Sequence, residues 1–185
     1  MKLKKVAALS IVAFMLSATA AFAEHPGGFG IGGQFGYNVN SGNSGGALAL
    51  NVPSIPIFWA INLDFGGSTA DWNWSWFSLG VSGDKYIIDR EIANMLGWYL
   101  GFGIGVGIQS GTYNVPSGYS SDLSYLWFNA NVRMPIGISV MPIDFLEIYV
   151  QAVPQLGMAF GISGDSGGAG FDWGVGANLG IKVWF

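Results

Sequence analysis

The chain has 185 residues, enough for one domain or two small ones, and is 51% hydrophobic, 15% aromatic and only 10% charged, with 30 Gly and no Cys. This apolar content excludes a disordered chain, and the missing Cys exclude a disulfide-stapled or Cys-ligated zinc scaffold. Soluble domains carry about 25% charged residues, so a water-facing surface is hard to assemble here; yet after residue 23 no continuously apolar run reaches the roughly 18 residues of a membrane-spanning helix.

The N-terminus reads as a leader. Lys2, Lys4 and Lys5 form a basic region, Val6 to Leu16 an apolar stretch, and Ala21-Phe22-Ala23 a small-x-small cleavage site. Residues 1–23 are therefore expected to be a signal peptide, helical in itself, and 24–185 the mature domain. The mature part keeps Lys85, Arg90, Arg133 and Lys182 against eleven acidic residues, a net charge of −7. So few cations offer nucleic acid no patch. The single His, His25, is expected to be a terminal residue outside the fold.

One period runs through the mature chain, and it is two. From Phe29 to Val39 the odd positions are apolar or aromatic, Gly33 apart, while the even ones are Gly, Gln34 and Asn38. Less regular strands follow at Gly46–Val52 and Ile57–Gly66, the latter with Asn62 and Asp64 on the polar side. A fourth starts near Trp76, and its parity falters at Gly83-Asp84-Lys85, where a bulge or strand end is expected. The fifth, Trp98 to Gln109, alternates large apolar residues with Tyr99 and four Gly; a helix there would lose about 1 kcal/mol per Gly relative to Ala and would have no apolar stripe. The sixth runs unbroken from Tyr125 to Val140, the seventh from Leu146 to Phe160 and the eighth from Phe171 to Phe185. Between them, Ser41–Gly45, Gly67–Asn73, Ser110–Asp122 and Ser163–Gly170 read as long loops, and Pro53–Pro56, Asp89–Asn94 and Met141–Asp144 as tight turns.

Long and short connections alternate, as they do in bacterial outer-membrane barrels. Charge decides which face meets lipid. Asp64, Arg133, Glu147, Asp172 and Lys182 all fall on the Gly/amide face, whereas a soluble sandwich would cover its outer face with charge. A charge on the lipid face costs about 2–4 kcal/mol near the bilayer midplane, and a one-residue slip would put each of these there. The reading is an all-β, eight-stranded antiparallel up-and-down transmembrane barrel. Its outward aromatics form two girdles, Phe29, Trp59, Trp98 and Phe185 at the periplasmic end and Tyr37, Phe77, Phe160 and Trp173 at the outer end.

The terminal alternation Ala177-x-Leu179-x-Ile181-x-Val183-x-Phe185 resembles the C-terminal signal read by the outer-membrane barrel assembly machinery, and the mature chain resembles small eight-stranded outer-membrane barrels of the OmpA-transmembrane-domain, OmpX and OmpW kinds. Leu96-Gly-Trp-Tyr-Leu-Gly101 and Met134-Pro-Ile-Gly-Ile138 are similar to segments of spirochaete outer-membrane barrel proteins. The resemblance implies outer-membrane lipid and the assembly machinery as partners, with Leu179, Ile181, Val183 and Phe185 carrying the assembly signal.

Signs of catalysis are absent from the sequence. Barrel enzymes acting on lipid A use a His with a Ser and an acidic residue, and the one His here precedes the first strand. No His/Cys set suggests a metal, and Gly30-x-Gly32 and Gly101-x-Gly-x-Gly-x-Gly107 lie inside strands, where they serve curvature better than phosphate binding. No cofactor is expected. The remaining constellation is a polar lumen of Asp64, Asn129, Asn131, Arg133, Glu147, Gln151, Gln155, Asp172, Asn178 and Lys182. An eight-stranded barrel is just wide enough for side chains to fill it, so the expected function is non-enzymatic: a structural or surface-interaction protein whose loops meet the medium or a host ligand. The alternative is a narrow, porin-like channel for small solutes or small hydrophobic molecules, resembling OmpW.

Overall fold

A computed structural model describes residues 25–68, 73–93, 95–114, 123–163 and 166–185. The expected signal peptide, Asp71, Asp122 and Asp165 lie outside them. Nine strand segments make one antiparallel sheet: β1 (Gly30–Asn38), β2 (Ser44–Val52), β3 (Ile55–Ser68), β4 (Asn73–Ala93), β5 (Leu96–Asn114), β6 (Leu123–Arg133), β7 (Ile136–Ile143), β8 (Leu146–Ser163) and β9 (Ser166–Trp184). β1 pairs with both β2 and β9, which closes the sheet and leaves no open edge along the β1 seam.

The nine segments occupy eight staves. β6 and β7 both pair with β5 on one side and β8 on the other, so they are halves of one strand. The break at Met134-Pro135 corrects the expectation of a continuous strand from Tyr125 to Val140. Pro135 has no N–H to give a ladder; its carbonyl accepts from Gly101 N at 2.8 Å, and Met134 N donates to Pro154 O at 2.9 Å, which carries the sheet across the gap.

Following register once around the barrel from Ile31 leads through Leu50, Trp59, Gly83, Ile104, Val132 and Leu156 to Trp173, ten residues short of Val183, which Ile31 faces across the seam. That stagger tilts the strands, as closure of a sheet requires. Outward residues are apolar and exposed all around the barrel, for example Phe35, Leu63, Leu79, Ile104, Phe128, Ile138, Met158 and Leu179. In water this belt would be untenable; in hydrocarbon it is the surface a barrel needs.

Four local expectations are corrected. β4 runs straight through Gly83-Asp84-Lys85, and its bulges lie at Tyr86/Ile88 and Glu91/Ala93. The turn expected at Asp89–Asn94 sits later, since β4 continues to Ala93 and β5 starts at Leu96, with Met95 at φ 71° making the reversal. Ser163–Gly170 is mostly strand, because Ser163 already faces Ser166 in the β8–β9 ladder, and β5 likewise continues to Asn114. Gly- and Ser-rich composition marks turns, but a hairpin prolonged beyond the lipid has the same composition and is held by its backbone ladder.

Candidate lumen site

The interior is organised by pairing a large inward side chain with a glycine directly opposite on the next strand. Tyr99 faces Gly137, Tyr149 faces Gly180, Trp127 faces Gly161, Trp76 faces Gly66 and Tyr125 faces Gly111. A Cβ on Gly66 would come within 2.6 Å of Trp76 Nε1, and one on Gly161 within 2.5 Å of Trp127 Cε2 and 2.6 Å of Cε3. These side chains therefore lie flat on the wall where the opposing residue has no Cβ. Three amides follow the same rule, with Asn129 against Gly107, Asn131 against Gly105 and Asn178 against Gly36.

The expected lumen set does not form one network. It splits between the loop end, reached by the connections after β1, β3, β5 and β8, and the turn end, which carries the hairpins after β2, β4 and β7 together with His25 and Phe185, the first and last described residues. Glu147, Lys182 and Gln151 lie in the turn-end half, all buried. Asp64, Asn129, Asn131, Gln155, Asp172 and Asn178 line a cavity of about 830 Å³ in the loop-end half, with Arg133 also on its wall. Asp172 is exposed at the side of this cavity.

Arg133 finds its counter-charge in Asp84, not in the expected acids. Nε lies 3.0 Å from Oδ1, both side chains are under a tenth exposed, and the contact is an ion pair without an aligned hydrogen bond. The misplaced bulge hid Asp84 from the sequence reading.

The turn-end half is blocked by packed side chains, with a smaller pocket of about 340 Å³ beside His25, Asp89 and Ser139. Phe58 stacks on Tyr86 at 3.7 Å and Tyr86 on Tyr99 at 4.4 Å, and Lys182 Nζ sits 4.8 Å from the Phe58 ring centroid, 4.9 Å from that of Trp184 and 5.3 Å from that of Tyr149. Glu147, 1% exposed, accepts from Trp184 Nε1 at 2.9 Å and lies 3.6 Å from Lys182 Nζ. Tyr99 OH donates to Gln151 Oε1 at 2.9 Å, and Tyr149 OH to Gln34 Oε1 at 3.0 Å.

His25 completes this seal, which overturns its expected place outside the fold. Its Nδ1 lies 2.5 Å from Asp89 Oδ2 and its Nε2 2.8 Å from Glu147 Oε1, inside a ring of Phe58, Tyr86, Tyr99 and Trp184 whose centroids are 5.2–6.1 Å away. Burial disfavours its charged form, but the hydrogen bonds to Asp89 and Glu147 outweigh that and raise its pKa to about 9. The bulge at Ile87 makes this contact: Ser82, Asp84 and Tyr86 point inward, and the extra residue brings Asp89 inward where unbroken parity would bring Ile88. No period in the sequence marks His25 or Asp89. The two carboxylates occupy opposite ring nitrogens, and among the described residues no group of three or more His, Cys, Asp or Glu is placed to hold a metal.

On the outside, Phe29, Tyr37, Phe77, Phe160, Trp173 and Phe185 are exposed, while Trp59 and Trp98 are half-buried. Phe29 and Phe185 meet across the β1–β9 seam at the turn end, ring centroids 6.3 Å apart. Leu179 and Ile181 are exposed and Val183 is half-buried on β9, the strand that closes the barrel, and exposed Phe185 follows its end.

This architecture defines a transmembrane β-barrel of the outer-membrane type. Its fold is similar to that of a major outer membrane protein from Thermus thermophilus, with a TM-score of 0.56 and 11% identity over 85% of this chain and 98% of that one. The N-terminal β-barrel domain of Pseudomonas aeruginosa OprF gives a TM-score of 0.43 and 13% identity over 84% and 97% of the two chains. No protein-family model matches the chain, and no curated protein matches it.

Proposed function

We propose that the protein is a non-enzymatic integral barrel of the outer membrane, exported by a leader cleaved after Ala23, with a structural or surface-interaction role and no continuous pore. The carrying observation is the seal in the turn-end half, where Tyr99 and Glu147 are each 1% exposed and His25 fills the space between Asp89 and Glu147. In this reading the turn end is periplasmic and the loop end faces the medium. Outer-membrane lipid contacts the apolar belt, the terminal strand addresses the assembly machinery, and the loops meet whatever external or host ligand there is. Both His25 ring nitrogens are engaged by carboxylates, so the one imidazole of the described residues is not free to act as a general base beside a serine.

The open cavity in the loop-end half favours a second reading, a narrow channel, which requires the His25 segment to leave the mouth. Planar-bilayer recording separates the two. The expected result is a membrane without unitary steps after insertion of the mature barrel; reproducible steps that change in Arg133→Ala would establish the channel.

A further inference from the structure

The loop-end cavity is more specific than a space left unfilled. Its walls are rich in neutral amides, and Asn129, Gln155 and Asn178 make no side-chain hydrogen bond to any described residue. All three are half-buried and border the cavity, so their donors and acceptors are open to whatever enters it. Asn129 and Asn178 each lie against an opposing glycine, Gly107 and Gly36, and are thereby kept to the wall. Trp127 lies flat on Gly161, so one ring face covers the wall and the other is turned to the cavity that it lines.

We infer that this cavity is a binding site for a neutral saccharide of one or two rings, entering from the loop end. An amide both donates and accepts, as does each sugar hydroxyl, and an aromatic face suits the C–H face of a pyranose. The volume, about 830 Å³, falls within the range of roughly 300–1,000 Å³ usual for small-molecule sites. Anions are opposed by Asp64 and Asp172, and Arg133, the one cation on the wall among the described residues, already faces Asp84. Asp64 on β3 and Asp172 on β9 stand on strands separated by β1 and β2. The inference goes beyond the reading of a closed barrel, because an outer site binds whether or not the inner half conducts.

The test uses the mature barrel refolded in a detergent without a sugar headgroup, titrated with maltose, lactose and N,N′-diacetylchitobiose by tryptophan fluorescence and calorimetry. At least one should bind saturably with a Kd of about 1 mM or tighter, and Asn129→Ala/Asn178→Ala should weaken it at least about tenfold, the equivalent of 1.4 kcal/mol. Retained heat-modifiability would show that this variant still folds, and the lipid-face control Leu63→Ala should bind as the wild type does. Saturable binding of arginine or putrescine with none of the three sugars would overturn the inference in favour of an organic cation. No saturable response to any probe, or sugar binding unaffected by the paired Asn variant, would overturn it outright.

Discussion

Arg133 and Asp84 form their ion pair across a glycine. They belong to strands on either side of β5, and Gly103 of that strand is in register with both, so the 3.0 Å contact spans a whole stave because nothing projects between them. Removing one partner from a buried pair leaves an uncompensated charge, at about 3–5 kcal/mol, whereas replacing both with apolar groups is often neutral. Arg133→Met alone should therefore lower the urea stability of the refolded barrel by several kcal/mol, and Arg133→Met/Asp84→Leu should recover most of it. Losses that simply add would show that the pair is not coupled.

The glycines make a graded prediction. Gly161→Ala puts a methyl group against the Trp127 ring, and overpacking of this kind costs about 1–3 kcal/mol. Gly170→Ala meets nothing within 4 Å and should change stability little. Urea midpoints of the two variants, measured in the same detergent, separate steric need from generic glycine loss; equal midpoints would contradict the wall-packing role.

His25 links stability to pH. Its folded pKa of about 9 is above the ordinary 6.5, so its contribution is fully present below pH 6.5 and is lost as pH rises through 9. His25→Ala should cost about 3 kcal/mol at pH 6, at the low end for a broken buried pair because Lys182 still faces Glu147. The difference between wild type and variant should narrow as pH rises through 9, leaving what the neutral ring contributes by packing. A difference that stays constant across this range would mean that the imidazole is not held charged.

Reversing the lipid-face rule is a further check. Leu63 is half exposed in the apolar belt, and Leu63→Lys should destabilise the barrel by about 2–4 kcal/mol if that level lies near the midplane. The same change at Ser78, on the adjacent strand and facing the cavity, should cost much less. The comparison reads out which face is in lipid.

Alternation made the barrel and its inside-out polarity legible, since lipid on one side and a narrow lumen on the other constrain every second residue. The lumen was legible as a set of residues but not as contacts. Register across strands decides that Trp127 meets Gly161 and Arg133 meets Asp84, and register is not written in any single strand. The seal was missed for a sharper reason: a one-residue bulge at Ile87 reverses the parity and so brings Asp89 inward, and His25 lies before the first strand, where no period applies. Pro135 sits inside an alternation that reads as unbroken, and the break that it makes is bridged through Pro154 and Gly101.

The central claim is a lumen open in its loop-end half and sealed in its turn-end half, and the cysteine-free sequence allows it to be measured directly. Single cysteines at Asn129, on the cavity wall, and at Ala49, 5% exposed in the other half, would be treated with a charged methanethiosulfonate in the folded barrel. Asn129→Cys should react readily and Ala49→Cys only after unfolding. Comparable reaction of both in the folded state would contradict the seal.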